Sequence, residues 1–211
     1  MKPDTDPIAR PRQERSRRTR ADLLAAVERV VAAEGPEAVT TTRIAAETGV
    51  SVGTLYRYFA DREALLLAAY DETVGRIIAA CHSGLSELPE DTDAPRAACI
   101  LLRSYLDAAD AIPAHSGLLS AMRIARPVAT DFIANRSEIE RRILAPFFAR
   151  FLPQVEVPAA AFPMVNTTIG ALVDLYLVTE ETSQRDWLRV EAEAYLTFVV
   201  ARLSESAPAA A

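Results

Sequence analysis

The sequence predicts an all-α protein, and three observations support this class. Apolar residues recur at helical spacing along most of the 211 residues, residues that favour helix caps precede several of these runs, and alternating apolar-polar strand patterns are absent. Half of the residues are apolar and 25% are charged, which is typical of a folded protein that can bury a substantial core. We therefore expect about nine helices.

The first helix is predicted to follow a flexible basic arm formed by residues 1–16, which contain three prolines. Thr19 is the predicted cap of this helix. Leucine and valine then recur every three or four residues and form one apolar stripe. The Gly35-Pro36 pair is expected to end the helix.

Three shorter signals predict the next helices. Thr40 is a plausible cap for a very short second helix, which stops at Gly49. Ser51 is the predicted cap of a third helix that runs through about Phe59, and Asp61 that of a fourth helix that continues toward residue 84. Four helices are thus expected within the first eighty-odd residues.

A second group of helices is predicted after a polar loop at residues 83–93, which is rich in Ser, Pro, Glu and Asp. The helical period continues in five further segments, near residues 94–110, 113–126, 128–151, 158–180 and 186–204. Residues 206–211 are expected to form a loose tail.

Charge is distributed unevenly along the chain, whose overall net charge is −6. Residues 1–62 carry 11 Lys and Arg against 9 Asp and Glu, whereas residues 63–211 carry 12 against 20. An acidic body with a basic amino-terminal edge suits a protein that contacts a polyanion at one end. A solvated basic tail without a partner is an equally open interpretation of the charge alone.

The cysteines and the apolar segments indicate a cytoplasmic protein. Cys81 and Cys99 are the only cysteines, and neither has a metal-ligand or CxxC spacing, so free thiols are expected. The first twenty residues contain no apolar stretch of the kind found in secretory signals. Residues 155–178 are the most apolar segment, but Asp174 and two prolines interrupt it, so we expect a buried or interface helix and no membrane span.

The stretch GVSVGTLYRYF, at residues 49–59, separates into two faces when its second half is placed on a helix. Leu55 and Phe59 are four residues apart and share an apolar face that can pack on the preceding helix. Val52, Gly53, Tyr56 and Arg57 follow the pattern of the opposite face. A short helix, a glycine turn and a second helix with such an outer face predict a helix-turn-helix.

The outer face has the properties that DNA recognition requires. Small residues at Val52 and Gly53 let the backbone approach the major groove, where apolar atoms can contact a thymine methyl group. The hydroxyls of Thr54, Tyr56 and Tyr58 can donate to phosphates. The alternative interpretation is that both tyrosines are partly buried core residues.

Residues 15–66, and above all TTRIAAETGVSVGTLYRYFADREALL, resemble the amino-terminal DNA-binding domain of the tetracycline-repressor (TetR) family of bacterial transcriptional regulators. The resemblance places the DNA-binding domain at residues 17–62. It implies base readout by Thr42, Val52, Gly53 and Tyr56, and phosphate contacts by Thr54, Tyr58 and Arg62. The full set that it places against DNA is Thr41, Thr42, Arg43, Ser51, Val52, Gly53, Thr54, Tyr56, Arg57, Tyr58 and Arg62.

We make two further predictions about basic residues in and near the predicted DNA-binding domain. Arg62 stands where the family most often has lysine, so the charge is kept. Arg17, Arg18 and Arg20 could add phosphate or minor-groove contacts from the arm. A solvated arm explains these three arginines equally well.

For residues 63–205 the resemblance implies a helical effector-binding and dimerisation domain. Two such subunits would place their recognition helices about 34–36 Å apart on a palindromic operator. The apolar last two helices support an interface of two copies, with candidate residues Ile169, Val173, Tyr176, Tyr195, Phe198, Val199 and Leu203. Polar, aromatic or pliable residues in otherwise apolar segments are candidates for contact with an unknown small-molecule effector: Tyr105, His115, Met122, Phe132, Asn166 and Asp174.

The mechanism implied is release of a repressor from DNA when an effector enters the larger domain and shifts the fourth helix. Two other classes compete with this interpretation. A helical protein-interaction module could use the tyrosine face to grip another protein. An enzyme is disfavoured because the chain has only two histidines and no triad, metal-ligand set or nucleotide fingerprint, and no cofactor is expected.

Overall fold

A computed structural model describes the chain at residues 9–125, 140–155 and 161–205, and these residues form helices and turns without a β-strand. This confirms the predicted all-α class. The helices in chain order are α1 (Ala9–Glu34), α2 (Thr41–Thr48), α3 (Val52–Tyr56), α4 (Arg62–Glu87), α5 (Ala94–Asp110), α6 (His115–Ala125), α7 (Ala145–Phe151), α8 (Ala161–Val178) and α9 (Thr182–Glu205). A 3-10 turn at Pro36–Ala38 follows α1, and a π turn at Glu140–Leu144 leads into α7.

Side-chain caps begin helices α2, α3 and α4 at the predicted residues. Thr40, Ser51 and Asp61 each accept a hydrogen bond from the backbone N–H group three residues later, over 3.2, 3.0 and 2.7 Å. These bonds satisfy amide donors that have no partner within the helix. The capping residues were predictable because each acts on its own neighbours in sequence.

Helix α1 begins earlier than the sequence predicted. It starts at Ala9, and Thr19 lies inside it, where its hydroxyl donates to the carbonyl of Arg15 over 2.9 Å and caps nothing. Pro11 does not prevent this start because the first-turn amides of a helix have no intrahelical acceptor. The flexible arm expected over residues 1–16 is therefore helical from Ala9 onward.

Two other boundaries differ from the expectation. Helix α3 ends at Tyr56, so Tyr58 and Phe59 lie in the turn after it. Helix α4 continues to Glu87, through the first part of the loop expected at residues 83–93. Its 26 residues make a rod about 39 Å long, which packs on α1, α5 and α6 and so joins the two parts of the fold.

The amino-terminal helices share one apolar core. Leu23 and Val27 of α1 are fully buried with Ile44 of α2 and Leu55 of α3, and Phe59 is 5% exposed. Packing of α1 on α2 and α4, and of α2 on α3, places α3 at the edge of this core. One face of α3 is thus fixed and the other is left at the surface.

Helix α9 is held on α5 by a ladder of polar pairs. The two helices contribute residues at intervals of three or four, which lie on one helix face. Arg103 donates to Glu193 over 2.8 Å, and Arg189 donates to Asp107 over 2.5 Å. The remaining rungs are Arg185 with Asp110 and Cys99 with Thr197. This ladder determines which face of α9 points away from the subunit.

Both cysteines are free, as expected, and burial raises the pKa of the Cys81 thiol to about 12. Among the described residues, none of the helices combines the length and apolar character needed to cross a lipid bilayer. Within those same residues there is no cluster of three metal-ligating side chains.

Candidate nucleic-acid interface

The turn between α2 and α3 depends on Gly49. This residue ends α2 with φ of 69°, in the left-handed region, and its amide donates to the carbonyls of Ala45 and Ala46. A side chain at this φ would strain the backbone, whereas glycine adopts it readily. The turn brings Ser51 into position to cap α3 directly afterwards.

The inner face of α3 anchors it to the core. Leu55 and Ile44 are completely buried, and Phe59 packs into the same apolar cluster. Arg20 of α1 lies over the Phe59 ring at 5.8 Å. These contacts fix the orientation of a helix of only five residues, which would be unstable alone.

The outer face of α3 is open to solvent, as the two-faced sequence pattern predicted. Gly53, Tyr56 and Arg57 are exposed, with Tyr56 at 51% of its full accessible surface. Val52 and Thr54 are half-buried. Gly53 has regular helical geometry, so its role here is to leave the backbone uncovered. A flat, exposed patch of backbone with flanking hydroxyls can enter a DNA groove.

Hydroxyl groups are paired across this surface. Tyr56 Oη and Thr41 Oγ1 lie 3.4 Å apart, and Ser51 Oγ and Thr54 Oγ1 lie 2.9 Å apart. Thr42 is exposed beside them on the first turn of α2. The structure therefore brings the first turn of α2 and the outer face of α3 into one surface.

Tyr58 is connected to α1. Ser16 donates a hydrogen bond to the Tyr58 hydroxyl oxygen over 3.2 Å. A phenol that accepts this bond keeps its own proton for another acceptor. Tyr58 is half-buried, and its ring lies 6.4 Å from that of Phe59.

Arg43 and Arg62 make contacts within the chain that sequence reasoning missed. Arg43 pairs with Glu34 at the end of α1 and with Glu47 one turn along α2. The hydrogen bond from Arg43 lowers the pKa of the Glu34 carboxyl. Arg43 thus joins α1 to α2.

Arg62, which the resemblance places at a phosphate, contacts the loop that precedes α2. Its guanidinium donates to the carbonyl oxygens of Val39 and Pro36, each over 2.8 Å, and reaches Glu37 over 3.3 Å. These acceptors are more than twenty residues upstream, so no local signal in the sequence could have revealed them. Arg62 fixes the loop between α1 and α2, which sets the position of the helix-turn-helix.

The effector candidates are placed in the larger domain with their own partners. His115 is buried, its Nδ1 lies 2.8 Å from the Thr73 hydroxyl, and its ring stacks on Tyr70. Burial lowers the pKa of His115 to about 4, so the imidazole is neutral at pH 7. Thr73 in turn donates to the Tyr70 carbonyl. The contacts among His115, Thr73 and Tyr70 therefore join α6 to α4.

Asp174 has a partner within its own chain. Arg123 of α6 forms an ion pair with it. Met122 is buried and Tyr105 is half-buried. Phe132 and the side chain of Asn166 lie outside the described residues.

The interface candidates divide into two groups. Val173, Tyr176 and Val199 are buried within the subunit, and Tyr176 donates to Asp110 over 2.7 Å, so these three pack in its own core. Ile169, Tyr195 and Leu203 are half-buried. Phe198 is 65% exposed.

Sequence reasoning missed most of the outward apolar residues on α8 and α9. The exposed large apolar side chains on these helices, besides Phe198, are Met164, Leu175, Val178, Trp187 and Val190. Their spacings of 3, 8 and 11 residues place them on one face of each helix. Separating the two faces of each helix would have revealed the stripe, but its direction depends on the ladder to α5.

The described fold and the exposed outer face define a helix-turn-helix protein with a larger helical domain. The family model for "Bacterial regulatory proteins, tetR family" matches residues 23–69, which span α1 to α4. This part of the chain is therefore similar to bacterial regulatory proteins of the tetR family.

Solved structures with a similar fold include transcription regulators of the TetR family. A TetR family transcription regulator from Marinobacter aquaeolei VT8 is 20% identical, covers 89% of this chain and 98% of its own, and has a TM-score of 0.60. The TetR family repressor AlkX from Dietzia sp. strain DQ12-45-1b, implicated in biodegradation of n-alkanes, is 16% identical over 88% of this chain and 96% of its own, with a TM-score of 0.62.

A third similar structure is a transcriptional regulator from Rhodococcus sp. RHA1, which is 20% identical over 91% of this chain and 99% of its own, with a TM-score of 0.58. No curated protein matches the chain in sequence. At these identities the structures share the fold with this chain.

Proposed function

We propose that this regulator is a homodimeric repressor that binds a palindromic operator and is released by a small-molecule effector. The observation that carries the proposal is the exposed face of Gly53, Tyr56 and Arg57 on a short helix whose other face is completely buried. Because the buried face fixes the orientation of α3 and the backbone is uncovered at Gly53, the exposed face can enter a major groove without reorganising. The repressor would act on DNA in the cytoplasm.

The residues of this face divide by chemistry. Thr42, Val52, Gly53 and Tyr56 would contact base edges, because they are the small or hydroxyl-bearing side chains at its centre. Phosphate oxygens would accept from Thr54 and Tyr58, with Thr41, Ser51 and Arg57 at the rim. Arg43 and Arg62 would stabilise the position of this surface. Arg43 does so through Glu34, and Arg62 through the carbonyl of Val39.

The domain division follows from this assignment. Residues 17–62 would form the DNA-binding domain and residues 63–205 the effector-binding and dimerisation domain. Since α4 packs against helices of both, a shift of α4 would change the position of α3 on DNA. The effector would bind between helices of the larger domain, near Tyr105, Met122 and Asp174, and its contacts would favour one position of α4.

The exposed apolar face of α8 and α9 would form the dimer interface. Six large apolar side chains there are between 44% and 65% exposed in the single chain, including Trp187 and Phe198. Stable dimers bury about 800 Å² per partner, with aromatic residues enriched at the centre. Two copies of this helix pair would make a four-helix interface and hold the two α3 helices one DNA turn apart.

Selection of bound fragments from random and genomic DNA tests the function. The chain should enrich one palindromic sequence, and Arg57→Ala should weaken binding to the enriched site. Arg29→Ala, which removes an equal charge from an exposed position on α1, is the matched control. Recovery of no enriched sequence by the folded chain would contradict the proposal.

Salt dependence separates this function from a protein-interaction module. A DNA-binding protein that makes about six phosphate contacts loses on the order of 10³-fold in affinity between about 50 and 200 mM salt. An apolar protein contact changes little over that range. Once the operator is known, release by an effector is tested by adding small molecules to the protein–DNA complex and measuring dissociation.

A further inference from the structure

The described part of α1 includes a basic extension that the proposed helix-turn-helix surface does not use. This α1 extension consists of residues 9–20, which contain six arginines and one glutamate and lie before the first buried residues of the helix, Leu23 and Leu24. Arg15, Arg17 and Arg18 are exposed. From residue 13 onward the extension therefore presents positive charge to solvent and contributes little to the core.

The α1 extension is helical and has a fixed direction. It continues the axis of a helix whose later turns are buried against α2 and α4. From Arg20 back to Ala9 it spans eleven residue steps, or about 17 Å at 1.5 Å per residue. A rigid basic rod of this length can reach phosphates that α3 itself cannot contact.

A specific contact joins the α1 extension to the proposed DNA surface. Ser16 donates to the hydroxyl oxygen of Tyr58, so the remaining proton of Tyr58 is available to a phosphate on the outer side. Arg15 and Arg17 flank Ser16 in the sequence, and Arg20 lies one turn after it on the same helix face. The basic residues are therefore continuous with the surface that carries Tyr58.

Electrostatics favours an anionic partner for the α1 extension. Its first turn contains Arg10 and Arg12 and no acidic residue, an arrangement that the helix dipole disfavours at an amino-terminal end. The body of the protein is acidic, with 20 Asp and Glu against 12 Lys and Arg in residues 63–211. Positive charge on a rod that projects from an acidic body is suited to contact with a polyanion.

We infer that the α1 extension is a second, sequence-independent DNA-binding element, which contacts the phosphate backbone beside the groove occupied by α3. Ser16 acts as a positioning residue that orients the Tyr58 hydroxyl at the junction of the two elements. This inference rests on the proposed DNA-binding function. It adds affinity and salt dependence without adding base readout.

Salt titration on a mixed-sequence duplex tests the inference. The duplex has about 40 base pairs, roughly four helical turns. For the double variant Arg17→Ala with Arg18→Ala, the magnitude of the negative slope of log affinity against log salt should fall by about 2, since each lost phosphate contact contributes roughly 0.9. Alanine preserves helix propensity, so the extension keeps its shape.

The matched control removes two exposed arginines elsewhere, Arg29→Ala with Arg96→Ala. The inference would be overturned if the magnitude of the salt slope fell no more in the Arg17/Arg18 variant than in this control. If the wild-type chain does not bind the duplex at all, the proposed function itself fails, which is a separate outcome. Loss of binding to phosphatidylglycerol vesicles with an unchanged DNA slope would assign the rod to a membrane surface and would also overturn the inference.

A double-mutant cycle tests the junction. Ser16→Ala and Tyr58→Phe should each weaken DNA binding, and the double variant should bind no more weakly than Tyr58→Phe alone. Such non-additivity is expected only if Ser16 acts through the Tyr58 hydroxyl. Losses that simply add would refute the positioning role, and circular dichroism of each variant excludes unfolding as their cause.

Discussion

At the scale of single residues, Gly53 is a position where a substitution should change DNA recognition and leave the fold intact. Its backbone is helical, and an added Cβ would meet only the Ser51 hydroxyl, at 3.9 Å. Gly53→Ala should therefore leave the fold intact and stabilise it by up to about 1 kcal/mol, since alanine has the better helix propensity. The same methyl group would occupy the space between α3 and DNA. We expect a higher or equal melting temperature together with an altered or weakened operator preference.

Gly49→Ala is the control for that variant. At φ of 69° alanine is strained, so this change should lower stability by roughly 1 kcal/mol. Fragment selection and thermal unfolding would be measured on both variants. If Gly53→Ala preserved both affinity and sequence preference, close approach of α3 to base pairs would be contradicted.

His115 predicts a pH dependence of stability. Burial holds its pKa at about 4 in the folded state, against an ordinary value of 6.5, while Arg76 lowers the pKa further and Asp110 raises it. The unfolded chain thus binds more protons between about pH 6.5 and pH 4, so stability falls as the pH falls through this window. The loss is on the order of 3 kcal/mol.

Comparison of His115→Asn with the wild type isolates this contribution. Carboxylates with lowered pKa values, such as Glu34 and Glu193, destabilise the fold in acid with the same sign, so only the difference between proteins is informative. Denaturant unfolding at several pH values should show a shallower acid loss in His115→Asn. The control His82→Asn replaces an exposed histidine and leaves His115 unchanged.

At the scale of helices, local signals were predictable and long-range contacts were not. The caps Thr40, Ser51 and Asp61 act within three residues, and both faces of α3 follow from its own spacing. The hydrogen bond from Arg62 to the Pro36 carbonyl joins residues 26 positions apart and depends on how α1 and α4 pack. The start of α1 at Ala9 was not predicted, because prolines usually indicate an irregular segment, whereas a first helical turn tolerates them.

The contact of α6 with α1 gives a prediction at this scale. An added Cβ on Gly117 would lie 2.8 Å from Val31 Cγ1 and 3.6 Å from Pro36 Cδ. Valine is stiff at χ1, so Gly117→Ala must push α6 away from α1, at a cost of about 1–3 kcal/mol. The expected result is lower stability and a displaced DNA-binding module, measured by denaturant unfolding and DNA affinity.

Val31→Ala provides the compensating variant. Alone it should destabilise the core, because Val31 is 5% exposed. Combined with Gly117→Ala it removes the methyl group that clashes, so the double variant should be more stable than the sum of the single losses indicates. Strict additivity would show that α6 does not press on α1 at this point.

For the whole molecule, the outward stripe on α8 and α9 is the surface that we propose for dimerisation. The polar ladder to α5 uses the inner face of α9, and core residues such as Val199 and Val200 fill the space beside it. Trp187, Val190 and Phe198 are consequently directed outward. The sequence showed that both helices are apolar, but only the packing of α9 on α5 shows which residues remain for a second copy.

Disruption of that stripe should separate the subunits without unfolding them. Trp187 and Phe198 are 60% and 65% exposed in the single chain, so Trp187→Glu with Phe198→Glu costs the monomer little. Loss of two aromatic residues from the centre of an interface typically costs at least about 2 kcal/mol each, and buried unpaired charge adds to this. Analytical ultracentrifugation should show a monomer with native helix content.

The consequence for DNA follows from geometry. A monomer has one recognition helix and no second helix one turn away, so its affinity for a palindrome should fall to that for a single half-site. The control Ala32→Glu places a carboxylate at an exposed position of α1, and this variant should remain dimeric. If the Trp187/Phe198 variant stayed dimeric, the two copies would have to meet through another surface, and the spacing of the α3 helices would no longer follow from α8 and α9.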